Sequence, residues 1–297
     1  MGIPMPETAK FYLSEHPTIM NFQWSPAHAW GSTWSFLFAT IAAYIAAASS
    51  LHLLLLLIRG RHPLPLGPFP ALHSLAVAVA SAAIFAGMIL CAEAEIRDTR
   101  WFWRRTRTAT PIHWLLCFPV GTRPSGRVFF WSYAFYLSRF LHLCRTFLTI
   151  LRRRKLTFFQ LFNQSILLVM SFLWLEFSQS FQVLAILSTT LLYAIIYGYR
   201  FWTEVGFPGA SFQLVGSCQL AMLGCHVACH FGVLFLHLLG GGCNGIGAWV
   251  FNSVLNAAIL LLFLKFYVAR RSRKREEKEN SSSSRSRRSE RIEKKGS

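Results

Sequence analysis

The sequence contains few charged residues. Asp, Glu, Lys and Arg make up 14% of its 297 residues, whereas soluble globular domains carry about 25%. Hydrophobic residues make up 54%, and they occur in long continuous blocks. This combination excludes an ordinary soluble domain and places the chain among membrane proteins.

Among the charged residues the acidic ones are the fewer, with 12 Asp and Glu against 30 Lys and Arg. Much of the excess positive charge lies at the end of the chain, which reads "RRSRKREEKENSSSSRSRRSERIEKKGS" from Arg270. Low hydrophobicity and the run of serines predict a disordered tail over 269–297. Because the tail follows an apolar segment, we expect it to lie beside anionic lipid and expect no nucleic-acid partner.

Signals of several other chemistries are missing. The sequence has no GxSxG, P-loop, HExxH or dinucleotide-binding motif. Its seven cysteines are odd in number and lack tight framework spacing, which argues against a disulfide scaffold. The stretch "CHVACH" (225–230) offers two cysteines and two histidines, but a zinc site needs further ligands that no other stretch clearly supplies. We therefore predict no bound metal and, since no basic-then-apolar leader begins the chain, no cleaved signal peptide.

Seven apolar segments are each long enough to cross about 30 Å of hydrocarbon as a helix. The predicted fold is therefore an all-α membrane protein with seven transmembrane helices. It divides the chain into an N-terminal segment (1–30), a membrane domain (31–268) and the basic tail. The apolar segments lie near 33–58, 70–92, 128–150, 158–175, 180–201, 212–238 and 246–268.

Basic residues predict the orientation of these helices. They follow the first, third, fifth and seventh segments, as Arg59 and Arg61, "RRRK" (152–155), Arg200 and the tail. The positive-inside rule places these flanks in the cytosol and residues 1–30 on the lumenal side, although the Arg-rich stretch 93–114 disagrees. The final "KKGS", with Lys294 and Lys295, looks like the dilysine retrieval signal of endoplasmic-reticulum membrane proteins. We therefore expect that membrane, with a cytosolic C-terminus.

Polar residues recur at helical spacing within four of the apolar segments. One such stripe is explained by hydrogen bonding between helices. Four such stripes, some with Arg and His residues, favour a shared cavity that holds a polar, anionic ligand. The reason is that a polar group without a partner in hydrocarbon is unfavourable. The residues are Arg139, His142 and Arg145 in the third segment, Gln160, Asn163 and Gln164 in the fourth, Tyr193, Tyr197 and Arg200 in the fifth, and Gln219 in the sixth.

This pattern resembles the ELO family of very-long-chain fatty acid elongases, and most closely its divergent plant 3-like branch. The likeness is strongest in "YLSRFLHLCRTFLTILRRRKLTFFQLFNQS", "FLWLEFSQSFQVLAILSTTLLYAIIYGYRFW" and "GGCNGIGAWVFNSVLNAAILLLFLKFY". The spacing of four family boxes survives while most identities change. The KxxExxDT box falls on Arg139, His142, Arg145 and Thr146; HxxHH on Gln160, Asn163 and Gln164; HxxMYxYY on Tyr193, Ile196, Tyr197, Tyr199 and Arg200; and TxxQxxQ on Gly216, Gln219 and Met222.

The resemblance implies a structure and a reaction. Six of seven helices would form a barrel around a tunnel that these positions line. Acyl-CoA would condense with malonyl-CoA, carbon dioxide would leave, and a 3-oxoacyl-CoA would result. No bound cofactor is implied beyond these two substrates. Other enzymes of an elongase complex, or a second copy of the chain, are the expected partners.

The departure from the HxxHH box leaves two interpretations open. Imidazole can attack a thioester, whereas the Gln and Asn amides can only orient groups or donate hydrogen bonds. In the first interpretation the chain is an active condensing enzyme that uses a relocated group, His142 or, more weakly, Cys144. In the second it binds acyl-CoA or regulates the elongase complex without condensing. A transporter is a distant third, because no matched pair of broken helices is apparent.

Overall fold

The computed structural model describes residues 7–58, 65–106, 111–153, 156, 158–207, 212–239, 241–258, 261 and 272. Of residues 99–106, 111–112 and 212–223 only the backbone is described. Three predicted features therefore lie outside the described residues: Arg59 and Arg61, most of the basic tail, and the Lys294–Lys295 signal. The chain divides into two compact units, Met1–Val250 and Phe251–Ser297, and the candidate site lies within the first.

The described part of the chain is built from helices, and the positions of the long ones match the apolar segments of the sequence. Two short helices, α1 (Glu7–Lys10) and α2 (Pro17–Met20), flank a π-helical turn. A six-residue helix, α5 (Pro111–Leu116), follows the second long helix. The long helices are α3 (Trp34–Leu57), α4 (Phe69–Thr106), α6 (Arg127–Leu151), α7 (Phe158–Glu176), α8 (Gln182–Glu204) and α9 (Phe212–Leu239); a further helix, α10, runs over Ile246–Ala258.

Four of the described helices are long and apolar enough to cross a membrane: α3, Phe69–Asp98 of α4, α7 and α8. Helix α6 has the length but carries Arg139 and Arg145 among its apolar residues, and Gly224–Leu239 of α9 and α10 are shorter apolar helices. The chain is therefore an all-helical membrane protein. A helix stands at each of the seven predicted positions, and the complete seven-helix barrel stays a prediction.

Helix α4 is central to the packing, because it lies along both α8 and α6, and α6 in turn packs on α7. Close approach of α4 and α6 depends on Gly87. A methyl group at that position would lie 2.0 Å from the indole of Trp131, so no larger residue fits without movement of a buried ring. Trp131 is held in place by a 2.9 Å hydrogen bond from its indole nitrogen to the Leu13 carbonyl.

The end of the bundle at which α7 joins α8 is cross-linked. A disulfide joins Cys117, just after α5, to Cys243, just before α10. Beside it the two amide hydrogens of Asn244 are shared among three carbonyl oxygens, of Thr122, Phe177 and Ser178, and its amide oxygen accepts a hydrogen bond from Gly121 N–H. The spacing of the cysteines did not predict this disulfide, which is one cross-link among the described residues rather than a scaffold.

Candidate functional site

A hydrogen-bonded network joins α6 to α8 in the interior of the bundle, and the Tyr197 hydroxyl is its centre. Nη1 of Arg145 lies 3.0 Å from this oxygen and Nδ1 of His142 lies 3.1 Å from it. The guanidinium of Arg200 stacks on the face of the Tyr197 ring at 5.3 Å. The network forms because the spacings of three and four residues keep these side chains on facing sides of the two helices.

Arg139 continues the network one turn deeper. Its guanidinium lies over the Phe135 ring at 4.1 Å and over the Tyr193 ring at 4.9 Å. It also lies 3.4 Å from the hydroxyls of Tyr193 and Ser138. Arg139 and His142 are each only 3% exposed, so both polar groups lie inside the helical bundle.

Two guanidiniums of this network are held without a carboxylate partner among the described residues. The described ion pairs include neither Arg139 nor Arg145; hydroxyls and aromatic faces hold both guanidiniums instead. Cation–π contacts of buried guanidiniums are worth about 2 kcal/mol, which offsets only part of their desolvation. An anion that entered the network would therefore be stabilised by unneutralised positive charge.

A cavity of about 360 Å³ opens beside the network where α4 begins and α6 and α8 end. The one carboxylate that lines the cavity belongs to Glu204. It accepts a hydrogen bond from the Ser74 hydroxyl at 2.9 Å and forms an ion pair with Arg152 at 3.5 Å. The remaining charged lining is cationic. The lining residues are Pro70, His73, Ser74, Arg145, Leu148, Thr149, Arg152, Tyr197, Arg200 and Glu204. This composition suits a phosphate-bearing ligand better than a neutral lipid.

The structure brings together six of the predicted site residues: Arg139, His142, Arg145, Tyr193, Tyr197 and Arg200. Thr146, on the same helix, is instead buried against α3, where its hydroxyl lies 2.7 Å from that of Tyr44. Cys144 is exposed and donates to the carbonyl of Phe140 in its own helix. It lies two residues from His142 and so on a different face of α6.

The remaining predicted residues are placed by their helices. Gln160, Asn163 and Gln164 lie half-buried in the first two turns of α7, and Tyr199 is half-buried in α8. Gln219 belongs to α9, but its side chain lies outside the described residues. Assignments of these residues to catalysis or substrate binding stay predictions.

Sequence reasoning missed the contribution of α4. His73 hydrogen-bonds through Nε2 to the Leu141 carbonyl at 2.8 Å, and Ser74 holds Glu204. Both residues lie near the start of an apolar segment, and neither forms a polar stripe with residues three or four positions away. Helical periodicity therefore did not identify them as site residues. Arg152 and Glu204 were hidden for another reason, since charged residues at the ends of transmembrane helices ordinarily face water.

The fold and the site together define a helical membrane protein with a buried cationic network beside a polar cavity. Comparison with known proteins gives the family. The family model ELO: GNS1/SUR4 matches residues 29–279, and the chain belongs to this family.

Individual relatives agree with this assignment. The chain is similar to "Fatty acid elongase 3-like" of Arabidopsis thaliana, with 60% identity over 274 residues that cover 92% of this chain and 95% of that protein. It is more distantly similar to two proteins of Dictyostelium discoideum. "Fatty acid elongase A" is 26% identical over 52% of this chain and 58% of its own length, and "Fatty acid elongase sre1" is 20% identical over 83% and 87%. No solved structure matches the chain significantly.

Proposed function

We propose that the chain is a fatty acid elongase, which condenses a long acyl-CoA with malonyl-CoA to a 3-oxoacyl-CoA and carbon dioxide. The observation that carries this proposal is the network of guanidiniums on α6 and α8, in which Arg145 donates to Tyr197 and Arg139 lies over Tyr193. Neither Arg139 nor Arg145 has a carboxylate partner among the described ion pairs. Coenzyme A brings three phosphate groups to such a site. Membership of the ELO family and the names of the relatives support the same reaction.

The arrangement separates two parts of the substrate along the bundle. Arg152 and Arg200 line the outer part of the cavity and are proposed to bind the phosphates, and Arg145 lines it between them and His142. His142 lies ten residues before Arg152, about 15 Å deeper along the axis of α6. The pantetheine arm of coenzyme A is an extended chain suited to such a distance. The thioester is therefore proposed to lie near His142, with the acyl chain continuing among apolar side chains.

The amide positions of α7 are proposed to help hold the substrate. Gln160, Asn163 and Gln164 can donate hydrogen bonds to carbonyl oxygens but cannot carry an acyl group. His142 remains the proposed catalytic imidazole. Thr146, Tyr193, Tyr199 and Gln219 are proposed to support or line the substrate tunnel, which the ELO fold would enclose with seven helices.

The proposed cell compartment and orientation rest on the basic flanks and on the Lys294–Lys295 signal. We place the protein in the endoplasmic-reticulum membrane, with the cavity facing the cytosol, because Arg152 and Arg200 belong to the predicted cytosolic flanks. The Cys117–Cys243 disulfide supports this orientation, since it lies at the opposite end of the bundle and disulfides persist in oxidising compartments such as the lumen. Other enzymes of fatty acid elongation, or a second copy of the chain, are the proposed partners.

A condensation assay tests the proposal. The purified full chain in lipid nanodiscs is given malonyl-CoA and acyl-CoAs of increasing length, and 3-oxoacyl-CoA is measured. Arg145→Gln should raise the KM for acyl-CoA about tenfold or more, because a hydrogen bond donated by a charged group to the substrate contributes about 1.5–3 kcal/mol. The matched control is Arg97→Gln, since Arg97 pairs with Glu93 on the exposed part of α4.

The outcomes separate the two interpretations of the sequence. Product formation by the wild-type chain, reduced by Arg145→Gln and not by Arg97→Gln, supports the enzyme. Tight binding of acyl-CoA without any 3-oxoacyl-CoA overturns it in favour of a binding or regulatory protein. The relatives' names do not favour that second interpretation.

A further inference from the structure

The hydrogen bonds around Tyr197 have a direction that is set by the chemistry of their partners. A guanidinium has no acceptor, so Arg145 donates to the Tyr197 oxygen at 3.0 Å. The phenol keeps its own hydrogen for another partner. The nearest described acceptor is Nδ1 of His142, at 3.1 Å.

The opposite arrangement satisfies fewer polar groups. If Nδ1 carried the proton and donated to Tyr197, the phenol hydrogen would lose its acceptor and the Nε2 lone pair would lack a donor. Nε2 is fully buried and has no hydrogen-bond partner among the described residues. Donation from Tyr197 to Nδ1 leaves one buried group unsatisfied instead of two, and each buried group without a partner is unfavourable. The favoured tautomer of the neutral His142 ring therefore carries its proton on Nε2.

We infer that His142 acts as a neutral Nε2–H donor to the thioester carbonyl of bound acyl-CoA, and that Tyr197 positions it by holding this tautomer. This rests on the proposed function. The Nε2–H group requires an acceptor, and a carbonyl oxygen that becomes negative during condensation is one. The lone pair at Nδ1 is occupied by Tyr197, so the ring is not the group that carries the acyl chain.

The other candidate nucleophiles are excluded by chemistry or position. The histidine box holds the amides Gln160, Asn163 and Gln164, which do not attack thioesters. Cys144 is exposed and faces away from the network. Because none of these residues can carry the acyl group, condensation proceeds in a complex of the enzyme with both substrates and without an acyl-enzyme intermediate.

The reaction balances without such an intermediate. The bond between C2 of malonyl-CoA and its carboxylate breaks and carbon dioxide leaves. The electron pair forms a carbon–carbon bond to the acyl carbonyl carbon, whose oxygen accepts from His142 Nε2–H. The carbonyl then re-forms, the carbon–sulfur bond breaks, and the coenzyme A thiolate takes a proton from water.

Two substitutions at one position separate a donor from a nucleophile. His142→Gln retains an N–H donor, and we expect kcat within about tenfold of wild type. His142→Ala removes the donor, and we expect kcat to fall about 10²–10³-fold. Equal, near-complete loss in both variants would overturn the inference. Cys144→Ser is the control and should leave kcat unchanged.

Kinetics and labelling provide a second measurement on the intact protein. Initial rates at varied concentrations of both substrates should give intersecting double-reciprocal lines. Coenzyme A should not be released from acyl-CoA until malonyl-CoA is added. Parallel lines, or an acyl adduct found on His142 by mass spectrometry, would contradict the inference while leaving the elongase proposal intact.

The tautomer itself can be observed without turnover. In ¹⁵N-histidine-labelled protein, the ring signals absent from His142→Gln should report protonated Nε2 and unprotonated Nδ1. Tyr197→Phe should shift them towards the other tautomer or a mixture. Protonated Nδ1 in the wild type would refute the positioning role of Tyr197. Failure of the elongase proposal would appear instead as absence of 3-oxoacyl-CoA from the wild-type assay.

Discussion

The hydroxyls of Tyr44 and Thr146 lie 2.7 Å apart in the buried contact between α3 and α6. Thr146 is the residue of its ELO box that retains the family identity, and it has no exposed surface. Its hydroxyl is thus committed to holding two helices together. The adjacent Arg145 reaches the opposite way, to Tyr197.

Substitution of this pair should change stability through a shared hydrogen bond. Thr146→Val and Tyr44→Phe should each lower the free energy of unfolding by about 1–3 kcal/mol, because each leaves one buried hydroxyl without its partner. The double variant should cost less than the sum of the two. Thermal unfolding in detergent measures all three, and an additive double variant would contradict a direct bond.

Gly87 should be intolerant of even a methyl group. Gly87→Ala places Cβ 2.0 Å from the Trp131 indole, so we expect a loss of about 1–3 kcal/mol from overpacking and a lower midpoint of thermal unfolding. Gly198→Ala is the matched control, because a Cβ there meets nothing within 4 Å and alanine favours the helix. Equal stability of the two variants would show that α4 and α6 are not in such close contact.

The disulfide should stabilise the protein by closing a long loop. Cys117 and Cys243 are 126 residues apart, and native disulfides contribute about 2–4 kcal/mol. The Cys117→Ser/Cys243→Ser variant should unfold at lower temperature than the wild type. A reductant should lower the wild-type midpoint and leave that variant unchanged. If the reductant lowered the midpoint of the wild type and of the variant equally, its effect would come from cysteines other than Cys117 and Cys243.

Asn244 should be required for the cross-linked end of the bundle. Asn244→Asp replaces the amide that donates to the carbonyls of Thr122, Phe177 and Ser178 with a group that only accepts. We expect a loss of about 2 kcal/mol or more, because the three carbonyls lose the two hydrogens that they share. Asn21→Ala, at an exposed position, serves as the control. Unchanged unfolding of Asn244→Asp would show that water replaces the amide without cost.

Most of the long helices could be predicted from the sequence to within a few residues, and the end of α4 could not. The segment predicted at 128–150 is a helix over Arg127–Leu151, and the segment at 70–92 extends to Thr106. The extension was missed because polar and charged residues end the hydrophobic signal at Glu93, while the hydrogen bonding of the helix continues. The disulfide was missed because pairing of cysteines 126 residues apart depends on where the loops meet.

The order of residues along the chain was enough to specify the apolar helices, the excess of cations within them and the amides at the histidine-box positions, because composition and a period of 3.6 residues are local properties. Which neighbour each polar face meets depends on how the helices pack. His142 is hydrogen-bonded to Tyr197, which lies 55 residues further along the chain on α8. Thr146, four residues after His142, is hydrogen-bonded to Tyr44 of α3 instead. Helical periodicity places residues on a face, but contacts between helices, such as Trp131 against Gly87, set the rotation that brings one face to another.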